Sequence, residues 1–133
     1  EERLMFGRKI EQNKIINQTE VLKQIRNKSE YLKEGINLLE NLSSTLESET
    51  DYLTIMGIEG NAAKIYFPRM FENVKWNGRK PRIKNDYINV TLDIGYTMLF
   101  NIVDAILQVY GFDTYYGVFH NYCNVPCFFR IIV

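Results

Sequence analysis

Glu59 stands in the run Gly57-Ile58-Glu59-Gly60, and His120 is the only histidine of the chain. A carboxylate and an imidazole are both able to hold a metal or move a proton, yet perturbed or metal-linked groups are a minority of ionisable residues. Spacing alone therefore leaves both readings open: a solvated helix acid and a packed structural histidine on one side, a working pair on the other. His120-x-x-Cys123-x-x-x-Cys127 supplies three zinc-ligand types, where a structural zinc site takes four. No second Cys or His pair completes it, so two ordinary thiols are the better account. A third feature is the segment 73–85, which holds Lys75, Arg79, Lys80, Arg82 and Lys84 around Trp76 and no acid. Such cations hold phosphates and such a ring stacks on a base, while a charge run of this kind also serves simply as a solvated loop. Tyr96, among Ile94, Met98 and Leu99, is readable as core.

The elements that must position these residues read as helices, so the fold class is all-α. Residues 1–27 are amphipathic, with Leu4, Ile10, Ile15, Val21, Leu22 and Ile25 as the apolar set. Ser29 can cap a second helix with Leu32, Ile36, Leu39, Leu42 and Leu46 at spacings of three and four. The two predict a hairpin over 1–47. Ser48 followed by Asp51 is the capping-box order for a third helix, which runs to about Phe67 and stops or kinks at Pro68. Gly57 and Gly60 inside it each cost about 1 kcal/mol against Ala, which predicts close approach by a neighbouring helix or a ligand backbone. Asp86 opens a long helix to about Tyr110 with Ile94, Met98, Ile102, Ala105 and Val109 as one stripe, and Gly111 suits its end. The domain reading is a single helical domain over 1–133, with 48–120 carrying the site and 121–133 a divergent tail.

Length and composition fit this. The chain has 133 residues, 46% hydrophobic and 24% charged, enough for a core and against disorder. Lys plus Arg and Asp plus Glu are 16 each, so any DNA contact must come from local clusters rather than a net basic surplus. Two cysteines make no disulfide framework, and the expected location is cytoplasmic. Asn101 and Asp104 interrupt the most apolar stretch, which argues against a membrane span.

Four segments carry a family resemblance. Met56-Gly57-Ile58-Glu59-Gly60-Asn61-Ala62-Ala63-Lys64-Ile65-Tyr66-Phe67 resembles the first catalytic motif of the CRISPR spacer-acquisition endonucleases, the universal Cas integrase family. Arg82-Ile83-Lys84-Asn85-Asp86-Tyr87-Ile88-Asn89 is similar to its second, and Leu92-Asp93-Ile94-Gly95-Tyr96-Thr97-Met98-Leu99 to the helix that follows. Gly111-Phe112-Asp113-Thr114-Tyr115-Tyr116-Gly117-Val118-Phe119-His120 resembles the family's Gly-Leu-Asp-Pro-x-x-Gly-x-x-His segment. The four occur in the family's order.

The resemblance implies the helical catalytic domain of a DNA endonuclease and integrase of antiviral defence, which inserts spacers into a CRISPR array. It implies Mg²⁺ or Mn²⁺ held by Glu59, His120 and a later acid. It also implies DNA contacts from Lys75, Arg79, Lys80, Arg82, Lys84 and Tyr96. The implied partners are DNA, a second copy in a homodimer and a small Cas protein bridging two dimers, with no membrane. The thirteen residues after His120 hold neither Asp nor Glu, so the third acidic ligand is missing, and the family's N-terminal β-domain has no counterpart. The expectation is a truncated or frame-shifted piece whose own activity is weak. The alternative is a non-catalytic helical module that binds DNA or protein.

Overall fold

Good helix formers, local caps and one apolar stripe per helix dictate the elements of the computed structural model, which describes residues 2–80, 82–83 and 86–115. Four helices occur among the described residues and no strand: α1 (Glu2–Gln24), α2 (Glu30–Leu46), α3 (Tyr52–Met70) and α4 (Tyr87–Val109). The all-α class read from the sequence is the observed one. The chain divides into two compact units, one of residues 1–78 and one from Arg79 onward.

In the first unit α1, α2 and α3 pack pairwise. Ile15 and Leu22 of α1 meet a core of Leu32, Ile36, Leu39 and Leu46 from α2 and Ile55, Ile58, Ala62 and Phe67 from α3. α2 starts as expected, because the Ser29 hydroxyl accepts the Leu32 amide at 3.0 Å. α1 buries a different stripe from the one expected. Its inward residues are Gly7, Glu11, Ile15, Thr19 and Leu22, a run stepping by four and three that includes an acid and excludes Val21.

The start of α3 differs from the capping-box expectation. Asp51, not Ser48, is the cap, and its carboxylate accepts both the amide and the hydroxyl of Thr54 at 2.8 Å. Glu49 Oε1 accepts the amides of Thr50 and Asp51, each at 2.9 Å, so the acids satisfy the donors that Ser48 was expected to serve. α3 also continues through Pro68 to Met70. Proline lacks the N–H that would bond four residues back, but Arg69 anchors this last turn. Its Nε donates to the Tyr31 carbonyl at 2.9 Å, its Nη1 to the Ile65 carbonyl at 3.1 Å, and its guanidinium lies 4.0 Å over the Tyr31 ring. The side chain crosses α2 at Gly35, where any Cβ would collide with it.

The close approach foreseen at Gly57 and Gly60 is thus found at Gly35. Among the described residues nothing lies within 4 Å of a Cβ built at Gly57 or Gly60.

In the second unit Asp86 caps α4, accepting the Asn89 amide at 2.8 Å, and Gly111 follows its end with a positive φ of 79°. The apolar stripe is exposed, with Ile94, Met98, Ile102 and Val109 all more than half open to solvent. By length and composition alone α4 is also the one described helix able to cross a membrane.

Candidate functional site

Glu59 sits on the fifth-to-eighth-residue stretch that follows Ile55 in α3, where Ile55, Ile58 and Ala62 face the core. That spacing turns Glu59 to the edge of the core, with 18% of its side chain exposed. There it meets α1. The Lys14 ammonium donates to Glu59 Oε1 at 2.8 Å. The same ammonium lies 3.9 Å from Oε2 of Glu11, one turn earlier on α1.

Glu11 is the unusual member. Its side chain is 1% exposed and neither carboxylate oxygen has a hydrogen-bond partner. Burial pushes its carboxyl up from the ordinary carboxylate value to about 7, with Lys14 pulling it down and Glu59 adding a smaller upward push. Two carboxylates from two helices therefore bracket one cation, which leaves one negative unit uncompensated when both acids are ionised.

The sequence pointed to Glu59 but not to Glu11 or Lys14. A signal was present: Glu11 falls four residues before Ile15 on the inward stripe, and Lys14 one turn after it. Both were absorbed into the polar face of an ordinary amphipathic helix.

Glu59 is the described part of the expected metal set. His120, like Cys123 and Cys127, lies outside the described residues. Among the described residues no group of three or more His, Cys, Asp or Glu gathers. A carboxylate oxygen is a donor that a hard divalent cation takes, and Glu59 Oε1 is paired here with the Lys14 ammonium at 2.8 Å.

The basic connector resolves into two kinds of residue. Lys75 and Arg82 are exposed. Arg79 is not: only 10% of its side chain is open, its Nη2 lies 2.8 Å from Asp93 Oδ1, its Nη1 donates to Asn89 Oδ1 at 3.2 Å, and the guanidinium sits 5.3 Å over the Tyr96 ring. The backbone amides of Lys80 and Arg82 also bond α4, at Asn89 Oδ1 (2.8 Å) and Asp93 Oδ2 (3.0 Å). Arg79 was grouped with the phosphate-binding cations, but its charge is met by Asp93, and Tyr96 is the ring beneath it. Asn89 is fully buried, and Asp86 Oδ2 accepts from its Nδ2 at 2.6 Å, so its carbonyl oxygen is oriented toward the connector. Lys84 lies outside the described residues.

Trp76, expected to stack on a base, packs in the first unit against Phe71 and Phe67 with centroid separations of 4.8 and 6.0 Å.

Comparison with known proteins gives a consistent answer. The family model described as "CRISPR associated protein Cas1" matches residues 1–123. A CRISPR-associated endonuclease Cas1 of Leptospira interrogans serogroup Icterohaemorrhagiae serovar Lai is 30% identical over 132 residues, covering 90% of this chain and 52% of that protein. One from Thermodesulfovibrio yellowstonii is 28% identical over 147 residues, covering 98% and 46%. Among solved structures, a partial Cas6-RT-Cas1–Cas2 complex holds a chain that superposes with a TM-score of 0.86 at 27% identity, covering 93% of this chain and 39% of that one. The chain spans about half the length of the curated relatives it matches. With a family model spanning most of its residues and a helical fold shared with these neighbours, the chain belongs to the Cas1 family.

Proposed function

We propose that the protein works in CRISPR adaptation, inserting spacer DNA into an array by metal-dependent transesterification at phosphodiester bonds. In this reaction a DNA 3′-hydroxyl attacks the phosphorus of the target strand. A new 3′-O–P bond forms, the original P–O3′ bond breaks, and the departing 3′-oxygen takes up a proton. Glu59 and His120 are the side chains of this chain that would hold Mg²⁺ or Mn²⁺. When bound, such an ion neutralises charge developing on the phosphoryl oxygens and lowers the pKa of the attacking group.

The observation that carries this reading is the place of Glu59: a part-exposed carboxylate on α3, in the segment that resembles the family's first catalytic motif, within a chain that the Cas1 family model matches over residues 1–123. Lys75, Lys80, Arg82 and Lys84 would hold the DNA backbone as a sequence-independent contact, and Arg79 would shape the segment that presents them. The complexes formed by the structural neighbours carry Cas2 in their names, which supports a small Cas partner; a second copy of the chain is the further partner that the family resemblance implies. The second reading is a helical module that binds DNA without cutting it.

One experiment separates them. The chain is incubated with labelled DNA and Mn²⁺, and Glu59→Ala is run beside it. Cutting or joining that is lost only in the variant supports the first reading. Binding without reaction, unchanged by the variant, supports the second, and no binding at low salt contradicts both.

A further inference from the structure

The Lys14 ammonium is shared unequally between its two acids. Glu59 receives a hydrogen bond at 2.8 Å, while the nearer oxygen of Glu11 is 3.9 Å away and both Glu11 oxygens lack any donor. A buried acceptor without a donor is costly. A pair built only to tie α1 to α3 has no need of a second acid in this position, least of all one that is buried and unbonded. The arrangement makes sense when the ammonium has two places to be. An ammonium on a flexible four-carbon stem carries three donors and swings readily between them. Glu11 and Lys14 are one turn apart on the same helix face, with the acid on the N-terminal side, the favoured order for such pairs.

We propose that Lys14 is a displaceable internal cation for Glu59, and that Glu11 is the second seat its ammonium takes when Glu59 engages a divalent cation. This rests on the reading of Glu59 as a metal ligand. In the metal-free chain the ammonium holds the Glu59 carboxylate in one orientation. An arriving dication competes for the same oxygen and repels the ammonium over a few ångströms. Transfer to Glu11 relieves that repulsion and supplies the donor Glu11 lacks. Lys14 and Glu11 are then positioning residues, acting on metal affinity through Glu59 without touching DNA.

The test is Mn²⁺ binding, counted from the electron paramagnetic resonance signal of the free ion. The chains compared are the unmodified protein, Glu59→Gln, Lys14→Met, Glu11→Gln and the Lys14→Met/Glu11→Gln double variant. Circular dichroism verifies helix content, and Lys14→Gln replaces Lys14→Met if the latter does not fold. The proposal expects Lys14→Met to tighten Mn²⁺ by about tenfold and Glu11→Gln to weaken it several-fold. It also expects the Glu11→Gln effect to vanish in the Lys14→Met background, the non-additivity of a shared ammonium. Weaker or unchanged binding in Lys14→Met, with binding still lost in Glu59→Gln, overturns the proposal and leaves the ligand reading standing. Identical behaviour of Glu59→Gln and the unmodified chain, whether both bind or neither does, overturns the ligand reading and the proposal with it.

Discussion

The ammonium of Lys14 lies 2.8 Å from Oε1 of Glu59, joining α1 to α3 at the residue the family resemblance singles out. Its third participant, Glu11, is buried against the same cation with both oxygens unbonded. From this cluster, the Arg69 anchor and the connector follow outcomes that can be measured.

Glu11 makes stability fall with rising pH. Its folded-state pKa is about 7 against an ordinary value of 4.5, with burial the main cause. Between those values the unfolded chain has released a proton that the folded chain still holds, so unfolding gains ground as pH rises through the window. The contribution is fully favourable below pH 4.5 and lost above about 7. Glu11→Gln removes it. Urea unfolding from pH 4.5 to 8 is expected to show the variant gaining on the unmodified chain by up to about 3 kcal/mol, and a pH-independent difference contradicts this.

Gly35 is required by the Arg69 side chain that crosses it. Gly35→Ala improves helix propensity by about 1 kcal/mol yet forces that guanidinium off the Tyr31 carbonyl and ring. The expected net result is destabilisation by about 1–3 kcal/mol. In Arg69→Ala the clash is gone, so Gly35→Ala added to it becomes neutral or stabilising. Urea midpoints of the four chains check this.

The connector cations divide by role. Lys75→Ala and Arg82→Ala are each expected to weaken DNA binding about equally for all sequences and to reduce the salt slope by about 1. Arg79→Ala acts differently, because its charge is met by Asp93 and Asn89. Its expected mark is loss of order in the connector, read as faster amide exchange at Lys80 and Arg82, whose amides bond α4. Fluorescence anisotropy across a salt series and hydrogen exchange separate the two. An Arg79→Ala chain with unchanged exchange and a reduced slope contradicts the division.

The sequence showed what depends on local signals. Ser29 and Asp86 cap helices where they were expected to, Gly111 ends one, and α2 and α4 keep close to their foreseen bounds, because a cap and its acceptor lie within a few residues. Glu59 stood out by its flanking motif, and the structure adds its partner Lys14. What escaped depends on partners distant in sequence. Arg69 reaches back to Tyr31 and Gly35, and Glu11 is buried by helices from other parts of the chain. An acid on an inward stripe looks polar until its neighbours are known. Arg79 looked like one more cation in a run because Asp93 lies fourteen residues on, across the turn into α4. The exposed stripe of Ile94, Met98 and Ile102 shows the converse, since periodicity marks an apolar face without saying what covers it.

The central claim is that Glu59 is the cation seat of a DNA-processing site. Paramagnetic broadening by Mn²⁺ in amide-resolved NMR spectra tests it most directly, since it reads position without needing activity. Broadening centred on Glu59 and Gly60, extending to Lys14 and absent in Glu59→Gln, is the result expected. Broadening centred elsewhere, or unchanged in Glu59→Gln, contradicts the account.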